Sequence, residues 1–354
     1  MAKAFKYDNL YNKIISFKNL EYAFSQVTKG DRKYQKDAIL FSMLLDKNLV
    51  DLWHDLKWGK YQVGEYIRFE VYEPKRRWVS APRVRDKVVQ YATHHIIKHV
   101  YANVFISDSF ACLEERGTHA AVHSVQRDMR IVEREFLEPW IVSVDVSKFF
   151  YSIDREILKK ILRKKIKCAK TLWLLDRIID SSPEGETGIP LGNVTSQDFA
   201  NIYLNEIDQY VKRHLGIRYY TRYMDDMIAV VEGKDAAQAL KAAMCLFLRD
   251  RLNLIENPKK SQIFPLAQGV NAYGYKIWTT HRLVRDQSKR AVKRRIKAMN
   301  RKLENGEIEL HDVKQSVNSW IGHARHSNSY NLTKKIFAPY SYVKIEGDEK
   351  FGKR

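Results

Sequence analysis

The 354-residue chain has little cysteine: Cys112, Cys168 and Cys245 lie far apart, with no Cys-x-x-Cys among them. That excludes a readable zinc site or disulfide framework and points to a reducing compartment. No apolar run approaches the ~20 residues of a membrane span, and the opening "MAKAFKYDNLYNKI" is polar. The expectation is a cytoplasmic protein with no membrane partner. There are no repeats and no low-complexity linker, so subdomains are expected to interlock. Acids are scarce as well: 42 Asp and Glu stand against 62 Lys and Arg, a net charge of +20. This argues against a small neutral substrate and for a polyanionic partner. The aromatic residues (20 Tyr, 15 Phe and 7 Trp) add surfaces on which bases stack.

On this basic background the stretch "YYTRYMDDMIAVVEG" (219–233) places Asp225 and Asp226 side by side between two runs that read as strand. The pair reads as the tip of a hairpin with both side chains at the bend. A solvated turn is the plain alternative, yet turns bring Gly or Asn and these acids have bulky apolar neighbours. Like charges this close repel, and a bound cation offsets the cost.

The rest of the chain supplies a setting. Residues 1–60 read as polar and helical, 61–82 as an extended hairpin around Pro74, and Asp86 to Val104 as helix from its apolar spacing. "PWIVSVDV" (139–146) reads as a short apolar strand ending on Asp145, and Asp154 as the cap of a following helix. A Gly-, Pro- and Ser-rich loop (181–195) leads to a helix from about Gln197 to Arg213. A further helix spans roughly Asp235 to Leu252, and "VNAYGYKIW" (270–278) reads as strand. Asp145, at a buried strand end, is costly unless paired or metal-bound. With Asp225 and Asp226 it makes three carboxylates suited to two Mg²⁺ ions ~4 Å apart, for which Mn²⁺ is an expected substitute. Between 282 and 302 ten Lys or Arg accompany one acid, Asp286, over the apolar stripe Val292, Ile296, Met299 and Leu303. This reads as a helix lying along a phosphate backbone, or as a solvated basic helix.

"RYMDDMIAV" resembles the catalytic hairpin of reverse transcriptases, and "VDVSKFFYSID" their other metal-binding strand. "EPKRRWVSAPRVRDKVVQYA", "FACLEERGTHAAV", "GIPLGNVTSQDFANIYL", "LNLIENPKKSQI" and "NAYGYKIW" resemble further motifs in the family's order. The resemblance implies an α+β right-hand polymerase. It would have an N-terminal helical segment (1–60), fingers (61–135) and a palm with an antiparallel sheet (136–282, fingers elements in about 155–190). A helical basic thumb (283–340) and a loose tail (341–354) would complete it. It implies an RNA-directed DNA polymerase acting on template RNA, the RNA/cDNA duplex and dNTPs. Asp145, Asp225 and Asp226, with the Val146 carbonyl, would hold the metals. Phe150 would be the steric gate against ribonucleotides, or core beside Phe149. Lys75 and Arg77 would grip the triphosphate, and Lys260, with Lys259 competing, would protonate pyrophosphate. Tyr273-Gly274 would form the primer grip, although such a pair in a strand is also a bulge. Arg83, Arg85 and Lys87 would face template phosphates or only water; Lys289, Arg290, Lys293, Arg294 and Lys297 would follow the duplex backbone. Arg116 and His119 match a structural motif.

Many reverse transcriptases carry Gln before the loop glycine, where this chain has Leu191 before Gly192. "IPLGNVTSQ" and "SVNSWIGHARHSNSYNL" (316–332) resemble the diversity-generating retroelement enzymes. That resemblance implies copying of a template-repeat RNA with errors at adenine, aided by a small basic oligomeric accessory variability protein. Retron and group II intron reverse transcriptases are the rival class, and a non-catalytic RNA-binding relative is the third. The acids and Phe150 argue against the last.

Overall fold

The computed structural model describes residues 9–72, 76–183 and 185–340, so Lys75 and the tail expected at 341–354 lie outside the described residues. Four helices open the chain: α1 (Leu10–Ile14), α2 (Phe17–Val27), α3 (Lys36–Met43) and α4 (Leu45–Lys57). An antiparallel hairpin, β1 (Ile67–Val71) and β2 (Arg77–Ala81), precedes α5 (Val84–Tyr101) and α6 (Thr118–Glu135). Then come β3 (Pro139–Asp145), α7 (Phe149–Ser152), α8 (Arg155–Lys165), α9 (Ala169–Asp180) and α10 (Val194–Gln209), which runs into a π-helical turn. The strands β4 (Tyr220–Tyr223) and β5 (Asp226–Glu232) lead to α11 (Lys234–Leu252) and β6 (Gln262–Pro265). A second hairpin set, β7 (Val270–Ala272), β8 (Tyr275–Ile277) and β9 (Arg282–Val284), is followed by α12 (Asp286–Glu304), α13 (Leu310–Ala324) and α14 (Tyr330–Phe337).

Local chemistry accounts for the boundaries. Asp154 caps α8 by accepting a 3.0 Å hydrogen bond from the Ile157 amide, as its position predicts. A capping box between Glu309 and Asp312 starts α13. In α12 Val292 and Ile296 turn inward while Arg290, Lys293, Arg294 and Lys297 face solvent. Among the described residues no helix is long and apolar enough to cross a membrane.

The four-stranded antiparallel sheet runs β4-β5-β3-β6, with β3 and β5 inside. It divides two hydrophobic cores. Val142, Val144, Met227 and Ala229 enter one with α5, α8, α10 and α11; Ile141, Ile228 and Val230 enter the other with α6 and the C-terminal helices. Both faces are thus buried, which is why β3 reads as a continuous apolar run rather than an alternation.

One element departs from the sequence reading. "VNAYGYKIW" is not a single strand: Tyr273 and Gly274, at φ +49° and +94°, form the turn between β7 and β8. Left-handed conformation at both central positions matches the strand twist in a two-residue hairpin, and Gly274 accepts it without strain.

Candidate active site

The register of the central sheet assembles the site. Asp145 ends β3 and pairs directly with Asp226, the first residue of β5. Residues opposite one another on neighbouring strands share a face, with Cβ atoms ~4.5–5.5 Å apart. The hairpin tip is Met224-Asp225, because Tyr223 already pairs with Asp226. Only one of the two acids is therefore at the bend; the expectation of both there is corrected by a two-residue loop that needs Met224 at φ +51°.

Burial and mutual repulsion mark these acids. Burial first, then the Asp145 charge, raises the Asp225 carboxyl above its ordinary range, and Lys260 and Arg77 oppose this. Asp226 is pushed up to about 7 by burial and by Asp145 and Asp225, against Arg285 and Lys260. Asp145 is 3% exposed and held from one short segment. Asn257 donates its backbone N–H to the Asp145 carbonyl (2.7 Å) and its Nδ2 to Oδ1 (3.1 Å), while Lys260 Nζ lies 2.5 Å from Oδ2. Val146 bridges to Glu256 beside them. The donors are all oxygen, as a hard divalent cation prefers, and Lys260, Arg77 and Arg285 each bring a positive charge to bear on them. Among the described residues no three acids or histidines close into a finished metal cage; Lys260 sits on Asp145 as a counter-charge instead. The three acids thus fit a divalent cation by the chemistry of their oxygen donors. An open cleft of about 600 Å³ adjoins, lined among others by Asp226, Lys259, Lys260, Lys276 and Arg285.

The surrounding loops are tightly fitted. Gly192 follows Leu191 in a turn pressed onto β2, where an added Cβ would lie 2.2 Å from the Ser80 carbonyl oxygen. Phe150, part-buried on α7, packs against the core beside Phe149 and accepts the Ile189 amide at 2.8 Å. Arg77 begins β2 and projects its charge onto Asp225. Tyr273 is 7% exposed and tucked under the β4–β5 hairpin, its hydroxyl 3.5 Å from the Asp226 carbonyl.

Two expected phosphate contacts are placed differently. Arg85 is engaged within the protein, on Asp55 (2.7 Å), the Gln62 carbonyl (3.2 Å) and the Tyr61 ring. The preceding helix offers it a carboxylate, so it serves as a strut. Lys289 pairs with Asp286 at 2.9 Å, whereas Arg290, Lys293 and Arg294 share one open groove and Lys297 is exposed. Arg116 donates to the Ile106 and Ser109 carbonyls, a structural role.

Sequence reasoning missed the support beneath the acids. Arg222, fully buried, clasps Asp208 at 2.7 Å, reaches Asn201 at 3.1 Å and donates to the Met224 carbonyl at 3.2 Å, inside the strained tip. Asn201, Asn205 and Asp208 lie buried on α10 among Ala200, Ile202, Tyr203, Leu204 and Ile207, a run of polar groups on an inward face that signals a buried partner. Arg285 was counted only among the basic residues, yet its charge acts on Asp226.

The chain is similar to known proteins. Protein YkfC of Escherichia coli K12 is 26% identical over 308 residues, covering 74% of this chain and 78% of its own length. The group II intron-encoded protein LtrA of Lactococcus lactis subsp. cremoris is 24% identical over 305 residues, 67% of this chain and 49% of that protein. The chain thus spans about half the length of the intron-encoded relative. The structure of apo telomerase from Candida tropicalis superposes with a TM-score of 0.50 at 11% identity, covering 83% of this chain and 64% of that one, a likeness of fold alone. Residues 72–277, more than half of the chain, match the family described as reverse transcriptase (RNA-dependent DNA polymerase). The paired acids at the end of a doubly buried sheet are accordingly those of a family member: the chain belongs to the reverse transcriptases.

Proposed function

We propose that the chain copies an RNA template into DNA at the Asp145–Asp226 pair, and that it is of the diversity-generating type. The register that sets these two acids opposite each other is the observation that carries the polymerase reading. Asp145, Asp225 and Asp226, with the Val146 carbonyl, would hold two Mg²⁺ ions, or Mn²⁺ in their place. Bound there, such ions make a 3′-hydroxyl a better nucleophile and neutralise charge on a departing pyrophosphate. Arg77, on the hairpin above Asp225, grips the triphosphate. Phe150 fills the space a 2′-hydroxyl would need. Lys260, 52% exposed at the rim of the acids, carries a proton within reach of the leaving group. In this reading the β1–β2 hairpin belongs to fingers, the central sheet to the palm and α12–α14 to the thumb, whose exposed cations follow the duplex backbone.

The finer reading rests on Leu191. A glutamine amide at this turn constrains the nascent base pair by hydrogen bonding; Leu191 supplies shape without a hydrogen bond. The error-prone cDNA of a template repeat, made in the cytoplasm with a basic accessory protein, is the product this would serve. The group II intron type is the second reading, and the likeness to LtrA favours it. One experiment covers both levels: copy a defined RNA with wild type, Asp225→Asn and Leu191→Gln, and sequence the cDNA. Asp225→Asn should make no product while still binding RNA. Leu191→Gln should lower errors opposite adenine several-fold, since one hydrogen bond is worth ~0.5–1.5 kcal/mol. Synthesis by Asp225→Asn would sink the site assignment. Error rates equal at all four template bases in wild type would leave the intron-type reading.

A further inference from the structure

Helix α7, Phe149–Ser152, is a single turn, too short to hold its own geometry. What fixes Phe150 must come from outside it. The chain enters α7 through Lys148 at φ +46°, and the carbonyls at the end of so short a helix need partners elsewhere. The segment before Leu191 supplies them. The Ile189 amide donates to the Phe150 carbonyl at 2.8 Å, the Thr187 hydroxyl to the Tyr151 carbonyl at 3.1 Å and the Gly188 amide to the Ile153 carbonyl at 2.8 Å. Gly188, at φ +86°, lies so close that an added Cβ would sit 2.8 Å from the Tyr151 carbonyl oxygen. On the other side, the Tyr151 hydroxyl donates to the Trp78 carbonyl at 3.0 Å, one residue beyond Arg77 on β2.

Arg155 gathers this segment from behind. Its Nε donates to the Gly188 carbonyl (2.8 Å), and its Nη2 to those of Gly185 (2.7 Å), Thr187 (3.2 Å) and Ser182 (3.5 Å). Arg155 stands in the first turn of α8, where a cation meets the positive end of the helix dipole and is disfavoured. Carbonyls converging on one planar fork explain its presence there. A lysine ammonium is a compact point charge and cannot span them in the same way. The chain of contacts therefore runs from the guanidinium to the Gly188 carbonyl, along Gly188-Ile189 to the Phe150 carbonyl, and so to the Phe150 ring.

We propose that Arg155 is a positioning residue for sugar discrimination. By fixing residues 185–189 it sets the depth of the Phe150 ring and, through Tyr151, the placing of that ring relative to Arg77. The proposal rests on the reading of Phe150 as the gate. A staple that only stabilised the fold would change the yield of active protein, but not the choice between sugars.

The test is a double-mutant cycle on Phe150 and Arg155. It is read as relative kcat/KM for a dNTP, its 2′-fluoro analogue and the matching rNTP on a defined RNA template. Arg155→Lys should lower discrimination against the ribonucleotide about three- to tenfold, the worth of a hydrogen bond, and by less against the smaller fluoro group. In the Phe150→Ala background the same change should add nothing, because the ring it positions is gone. Thr187→Val removes the bond to the Tyr151 carbonyl from an exposed position. It should move the ratio in the same direction, and it replaces Arg155→Lys in the cycle where that variant does not fold. An unchanged ratio in the folded variant, or equal fold-changes with and without the Phe150 ring, overturns the positioning role, while a shift in Phe150→Ala alone leaves the gate reading standing. An unchanged ratio in Phe150→Ala overturns the gate reading and this proposal together.

Discussion

Removing one of the facing acids should make the metal-free protein more stable. Asp226 faces Asp145 across the β3–β5 register and has Asp225 beside it, so its carboxyl is held up to about 7, against an ordinary value of 3.8. For an acid raised in the folded state, the native protein holds the proton more tightly than the unfolded chain. Stability therefore falls as pH rises from ~4 to ~7, and the whole penalty is present above 7. Taken at face value, ~3 pKa units correspond to ~4 kcal/mol. Asp226 is only part-buried, and solvent screening reduces this to ~1–2 kcal/mol. In a chain of this size that is about 1–3 °C in melting temperature. Asp226→Asn keeps the shape and deletes the charge. In EDTA at about pH 8 it should melt higher than wild type by that amount; at about pH 5.5 the gap should be roughly half as large, and below about pH 4, where the unfolded chain is protonated too, it should close. Saturating Mg²⁺ should raise wild type and leave the variant nearly unmoved. A variant that melts lower than wild type at the higher pH without metal would refute the reasoning. It would mean that Arg285 and Lys260 already compensate the carboxylate.

Three further outcomes follow from other parts of the molecule. Arg222→Met should cost about 3–5 kcal/mol by leaving Asp208 buried and unpaired, and adding Asp208→Leu should restore much of it; chemical denaturation of the three variants gives the comparison, and a double variant as unstable as the single one would show that neutralising the pair brings no relief. Neutralising Lys293, Arg294 and Lys297 together should lower the log-log salt slope of template binding by up to ~0.7–0.9 per contact, whereas Lys289→Ala, already paired to Asp286, should change it less. Phe150→Ala should raise ribonucleotide over deoxynucleotide incorporation in a competition assay, and an unchanged ratio would assign the ring to the core it touches.

The acids themselves were legible because they violate their surroundings: carboxylates in Val-, Ile- and Met-rich strands need a reason, and order along the chain supplied the rest. The start of α8 and the span of α11 could be read because a cap and apolar spacing are local. What stayed hidden depends on partners distant in sequence. Arg85 looks like Arg83 and Lys87 in the sequence until Asp55 and Tyr61 are seen beside it. Nothing near Arg222 announces Asp208, which lies on another element. Tyr273-Gly274 was ambiguous between bulge and turn, since both tolerate positive φ and only the pairing of Ala272 with Tyr275 decides.

The two cores flanking the central sheet have a consequence for how the site tolerates change. A slip of one residue between β3 and β5 would send every side chain to the opposite face. Asp145 would then lose its partner, and Ile141 and Val142 would exchange compartments. Either compartment alone forbids that slip, so the alignment of the acids is specified twice. Small losses of packing on one side can accumulate without disturbing catalytic geometry, because the other side still enforces the register. The chain can therefore vary in its helices and loops, including the turn at Leu191, while the chemistry stays fixed in place.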